Sequence, residues 1–204
     1  MTAPVLAEAL YREQDRLFRA AVVAAMDIWG EIDPTRFAQS WVEDRIGDQL
    51  LISLARTQEL AAIAADVYTD LILRADGSEV EAEGKVIPAS LAGVSSDGRP
   101  LDTLLQQAVV QSSVSSAGGM ALPDAMAAGA QVLTRIVGTQ VADAGRSASS
   151  LGIAARPKTG WVRLVESKAC SRCVILAGRF YRWSNGFDRH PLCKCRNIPA
   201  SEDT

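Results

Sequence analysis

The chain has 204 residues, 48% of them hydrophobic and 22% charged but only 5% aromatic. That composition fits one globular domain, or a domain with a small module, and the scarcity of aromatics beside abundant Ala excludes a β-sandwich in favour of helices. The net charge of −3 hides an asymmetry: residues 1–155 carry 11 basic and 20 acidic side chains, whereas residues 156–196 carry 10 basic ones against Glu166 and Asp188 alone.

The opening MTAPVLAEALYREQ has neither a basic n-region nor an apolar h-region, so no secretory leader is expected. Leu6, Leu10, Leu17, Ala21, Ala24 and Ile28 recur at helical spacing and predict a helix over 4–29. Asp33-Pro34, an N-cap residue followed by Pro, predicts the start of one long helix over 34–75, with Gly47 as its weak point and Gly77 as its stop. Residues 78–100 are broken by Gly, Pro and Ser, and VEAEGKVI within them reads as a hairpin. Helical character returns over 102–116. Pro123-Asp124 then opens a helix over 123–150, whose stripe of Met126, Val132, Leu133, Ile136 and Val137 reads as core rather than cofactor surface. The longest uncharged run, residues 103–123, is too rich in Gln, Ser and Gly to span a bilayer, so no membrane contact is expected.

Residues 155–160 read as a linker. Beyond them GWVRLVESK, RFYRW and LCKCRNIP read as short strands. CSRCVILAG reads as one or two helical turns ending at Gly178, and residues 200–204 as a tail. The expected fold is therefore mainly α: an elongated multi-helix body, 1–155, with a small basic C-terminal α+β Cys/His module, 156–199.

All four cysteines and the one histidine lie in that module, spaced C-x2-C-x16-H-x2-C-x-C. Cys170 and Cys173 share a turn; Cys193 and Cys195, on a strand, would share a face with Lys194 pointing away. Two close pairs of thiolates describe a tetrahedral site, so four of Cys170, Cys173, His190, Cys193 and Cys195 are the candidate ligands of one structural zinc. Three other readings stand beside it. A redox Cys-x-x-Cys leaves the second pair unexplained. A disulfide between the pairs conflicts with the reducing cytoplasm in which the protein is expected. Four reduced cysteines can also pack as small apolar groups. A module so short and charged has little core of its own, which favours a metal or covalent staple. Its basic residues interleave with Trp161, Phe180, Tyr181, Trp183 and Phe187. Arg172, Arg179, Arg182, Trp183, Arg189, Lys194 and Arg196 are therefore candidates for contact with nucleic acid through phosphates and stacking. They suit equally a partner protein or the acidic remainder of the chain.

The stretch CSRCVILAGRFYRW followed by RHPLCKCRNIP resembles the C-terminal signature of the phage Mu F-like (MuF) minor head proteins of tailed bacteriophages, in the form found in phages of actinobacteria. Cys-x-x-Cys, Gly-Arg-Phe-Tyr and the closing His-Pro-x-Cys-x-Cys carry the likeness, which covers about 40 of the 204 residues. The resemblance implies a minor capsid protein that binds portal, major capsid or scaffold protein during procapsid assembly, with a role in packaging or ejecting DNA. It implies a place in the virion, in the head interior or at the portal vertex, after assembly in the host cytoplasm, and no small-molecule substrate. Larger members fuse toxin or enzyme domains to the motif; with nine residues after Cys195, none is expected here.

Some members of that family in actinobacterial phages are labelled capsid maturation proteases. A Ser-His protease needs a histidine base, and His190 sits inside the cysteine cluster. Ser112, Ser113, Ser115 and Ser116 lie near Gly118-Gly119, but no G-x-S-x-G frames a nucleophile. Nothing positions Lys85, Lys158, Lys168 or Lys194 as a dyad partner, and no phosphate-binding loop is present. No catalytic residue is assigned. A capsid maturation protease and a zinc-stapled nucleic-acid-binding protein are the alternative readings.

Overall fold

The computed structural model describes residues 1–78, 80–166, 169–190 and 192–202. Three long helices build the body: α1 (Ala3–Trp29), α3 (Ile46–Ala75) and α5 (Leu122–Ala154). With 27, 30 and 33 residues, they are about 40–50 Å long at 1.5 Å per residue, which elongates the bundle as expected. Two shorter helices, α2 (Phe37–Glu43) and α4 (Leu101–Ala117), complete the body. In the C-terminal module, β1 (Thr159–Leu164), α6 (Ser171–Ile175), β2 (Phe180–Arg182) and β3 (Arg196–Ser201) follow in turn. The strands form one antiparallel sheet in the order β2-β1-β3. Among the described residues, no helix is long and apolar enough to cross a membrane.

The main core lies where α1, α3, α4 and α5 meet, around Leu17, Leu50, Leu54, Leu105, Leu133 and Val137. A second cluster joins the module to the body. Ile198 of β3, with Val162 and Leu164 of β1, packs on Leu6, Ala7 and Leu10 of α1 and Ile72 of α3. The module thus borrows its apolar support from one end of the bundle, where the start of α1 meets the end of α3.

Three expectations change in the body. The helix predicted over 34–75 is two helices. Asp33 does not start a helix; its carboxylate accepts the backbone N–H and hydroxyl of Thr35 in a turn. The break comes at Arg45, whose φ of 57° is left-handed. Gly47 then lets Trp41 fold back onto the first turn of α3, since a Cβ there would stand 2.8 Å from the indole. At the far end Gly77 is the expected stop: its φ is 84°, and Ser78 N–H reaches Leu73 O at 2.9 Å while Gly77 N–H reaches Arg74 O at 3.2 Å. In the insert 78–100, the described residues form no hairpin over VEAEGKVI. A 3-10 turn over Pro88–Leu91 forms instead, and Val86 and Leu91 cover Ala62, Ala65 and Ala148. The last helix also runs four residues past its expected end at 150, to Ala154.

Glycines on α5 set how closely its neighbours approach. A Cβ on Gly129 would overlap the Ser112 hydroxyl and stand 2.6 Å from the Trp29 ring and 2.7 Å from the Ala108 carbonyl. Gly129→Val is expected to cost about 2 kcal/mol or more by overpacking. Thermal denaturation should show this as a fall of roughly 4–8 °C for a chain of this length. An unchanged melt would mean that α4 and α5 can separate without loss.

Candidate metal centre

The centre forms where α6, the loop from Asn185 to Cys195 and the middle of α5 converge. Cys170 caps the start of α6 and Cys173 lies in its first turn, which brings both thiols to one side. The second pair arrives differently from the sequence expectation. Cys193 and Cys195 precede β3, which begins at Arg196, so strand alternation does not align them. They sit on a loop turned by Leu192, at φ 60°, and by the Cys193 N–H donating to His190 O at 3.1 Å. Pro191 lies outside the described residues.

All four cysteines are free, three of them buried and Cys170 exposed. Two groups overlap: Cys170, Cys173 and His190, and Cys173, Cys193 and Cys195, each with its ligand atoms within 4.8 Å of one another. Cys173 belongs to both. The Cys170 Sγ–His190 Nε2 distance is 3.4 Å, Cys173 Sγ–His190 Nε2 3.9 Å, and Cys173 Sγ–Cys193 Sγ 3.9 Å. Around a tetrahedral zinc with Zn–S of about 2.3 Å and Zn–N of about 2.0 Å, the S–S and S–N edges come to about 3.8 and 3.5 Å. The donor set therefore fits a metal ion in both chemistry and spacing, and either group could hold one.

The thiols are unequal. A hydrogen bond from Cys195, helped by the nearby charge of Arg146, holds the Cys193 thiol well below its usual range. Its neighbour Cys195 is pushed up, first by that same hydrogen bond and then by burial. Burial raises Cys173, while the backbone N–H of Cys173, a side-chain bond to that residue and His190 lower Cys170.

One face of α5 holds the ligand loop. Its residues at 139, 143, 146 and 150 recur at spacings of four, three and four, the period of a single helix face. Thr139 Oγ1 accepts the Leu192 N–H at 3.2 Å. Asp143 pairs with Arg189 at 2.5 Å and with Arg146 at 2.7 Å. Arg146 donates through Nε to Cys195 O at 3.0 Å and through a terminal nitrogen to Cys193 O. Asn197 Nδ2 reaches Ser150 Oγ at 2.9 Å and Arg146 O at 3.2 Å. Burial pulls the Arg146 guanidinium below its ordinary value, and Asp143 opposes that pull. Thr139, Asp143, Arg146, Ser150 and Asn197 were not among the sequence candidates. The signal available was a charged pair, Asp143 and Arg146, in a run otherwise made of Ala, Gly and Ser.

The candidate contact residues divide into two sets. Arg172, Arg179, Arg182 and Trp183 are exposed, as is Phe180. Arg196 is not available to an outside partner: it is 3% exposed and donates to the carbonyls of Lys194 and Cys195. Burial and the adjacent Arg146 draw its guanidinium down to about 10. Arg189 faces Asp143 and Ser96, and Lys194 faces Asp15 at 3.4 Å. Part of the basic surplus is therefore spent against the acidic body. Of the interleaved aromatics, Trp161 is buried and stacks on Tyr181 at 4.3 Å, and Phe187 lies under the Arg163 guanidinium at 3.9 Å. Neither Trp161 nor Phe187 presents the free face that base stacking needs.

The serine cluster has structural duties. Ser112 is fully buried and donates to Ala125 O at 2.9 Å, and Ser113 donates to Val109 O at 2.9 Å. Lys168 lies outside the described residues. No family model, no curated protein and no solved structure matches the chain.

Proposed function

We propose that the chain is a minor head protein of a tailed bacteriophage, of the Mu F-like type, with its C-terminal module closed by one structural zinc. What carries the reading is the convergence of the signature residues. Cys-x-x-Cys meets His190, beyond 16 intervening residues, and Cys-x-Cys, beyond 19 intervening residues, around Cys173. Of the Gly-Arg-Phe-Tyr between them, Phe180 and Tyr181 open β2, at the sheet edge. A site closed by five candidate donors leaves no open coordination position for a substrate, which favours a structural ion over a catalytic one.

On this reading the zinc module is a rigid mount. It is anchored to α5 and leaves Arg172, Arg179, Arg182 and Trp183 exposed. The partner is portal, major capsid or scaffold protein, met in the host cytoplasm and carried into the virion. Arginine and tryptophan are the side chains that most often dominate protein interfaces, so these four define the expected contact. Expressed with the portal, major capsid and scaffold proteins of its own phage, the chain should copurify with at least one of them. The triple variant Arg172→Ala, Arg182→Ala, Trp183→Ala should lose that partner while keeping its fold. Failure of the unaltered chain to associate with any of the three would overturn the head-protein assignment.

A further inference from the structure

The outer side of α3 is apolar. From residue 52 to residue 71 the exposed positions are Ile52, Arg56, Leu60, Ile63, Val67 and Leu71, and no others. The five aliphatic ones are between 41% and 67% exposed. Their opposite face, with Leu54, Ala61, Ala65 and Ile72, is in the core. The exposed set forms two rows spaced by four, 52-56-60 and 63-67-71, the ridges by which helices interdigitate. A contiguous aliphatic crest of this kind marks an interaction surface on a soluble protein.

The order of residues along the crest identifies what covers it. Reading outward from the Ala61–Ala62 bond, the exposed positions come in matched steps: Leu60 and Ile63, Arg56 and Val67, Ile52 and Leu71. We infer that α3 is a self-complementary seam on which a second copy of this chain docks antiparallel, about a two-fold axis between Ala61 and Ala62. Such an isologous interface needs a patch that complements itself under the rotation. Here Leu60 meets Ile63 of the second copy, and Ile52 meets Leu71 of the second copy. Arg56, the one charge on the crest, meets Val67 of the second copy, with Asp66 and Asp70 together on one flank of that residue. Asp70 also pairs with Arg74 and Arg156 on its own chain. The register that joins aliphatic to aliphatic thus delivers the basic residue to the acidic ones. A parallel arrangement sets Arg56 against Arg56 instead. This inference stands independently of the head-protein reading.

Sedimentation velocity across a wide concentration range tests it, with circular dichroism to confirm the fold of each variant. The unaltered chain should reach twice its monomer mass of 21.7 kDa. Ile63→Glu, which places two carboxylates beside the axis, should give a monomer. Arg56→Glu, which sets like charges against each other, should weaken association about tenfold or more. Val114→Glu, at a still more exposed apolar position on α4, should leave the dimer intact. A chain that stays monomeric at every concentration overturns the proposal and leaves the crest to a different protein. So does a dimer that survives Ile63→Glu, or one that Val114→Glu dissociates as readily.

Discussion

Purified protein supplied with zinc should hold about one equivalent, and chelation should lower its melting temperature. At free zinc a hundredfold above the dissociation constant, binding to the native state alone stabilises by about 2.7 kcal/mol. For a chain of this length that is a shift of roughly 5–10 °C. Cys173→Ser should abolish both the bound metal and the shift, because Cys173 is the one residue common to the two groups. Replacing the other four candidates singly should separate three that release the ion from one that keeps it, which identifies the residue outside the tetrahedron. Protein that binds no zinc, and melts identically with and without chelator, would return the thiols to the role of small buried apolar groups.

The zinc candidates were legible in the sequence because their residue types are rare and clustered. One histidine and four cysteines within 26 positions leave few alternatives for what gathers them. The route by which they gather was not legible. An alternating LCKCRNIP predicts a strand, yet the chain turns through a left-handed Leu192 first, a conformation that no hydrophobic pattern announces for a non-glycine residue. Asp33 misled for a related reason. An Asp that caps a helix and an Asp that closes a turn use the same carboxylate on a backbone N–H two or three residues on, so the local sequence does not separate them.

The body was readable wherever one face is apolar, since a 3.6-residue period needs only the types of side chain. It was unreadable where polar residues are buried. Thr139, Asp143, Arg146 and Ser150 have the spacing of a solvated helix face, and nothing in α5 itself says that residues 47–53 positions later will cover them. The exposed crest of α3 is the converse. Its aliphatic residues reinforce the helical periodicity, but only the position of α3 on the outside of the bundle shows that they face water.

The covered polar face makes Arg146 the most consequential residue outside the cysteines. Its side chain is 5% exposed, as is that of Asp143. Arg146→Met keeps the volume and removes the charge. It leaves Asp143 buried with only Arg189 beside it, and takes the guanidinium donors from the carbonyls of Cys193 and Cys195. Removing one member of a buried ion pair costs about 3–5 kcal/mol, a large share of the roughly 5–15 kcal/mol that keeps a domain folded. Urea denaturation should register that loss. Transfer of zinc to a chromophoric chelator should quicken, because the carbonyls that fix the ligand loop have lost their clamp. Asp143→Leu alone should also destabilise, since it strands Arg146. The double variant Arg146→Met, Asp143→Leu should cost less than the two singles together, because neither charge is then left without the other. The shortfall measures the coupling, of the order of 0.5–3 kcal/mol for residues in contact. Strict additivity, or an unchanged rate of zinc transfer in Arg146→Met, would show that the ligand loop holds its shape without α5.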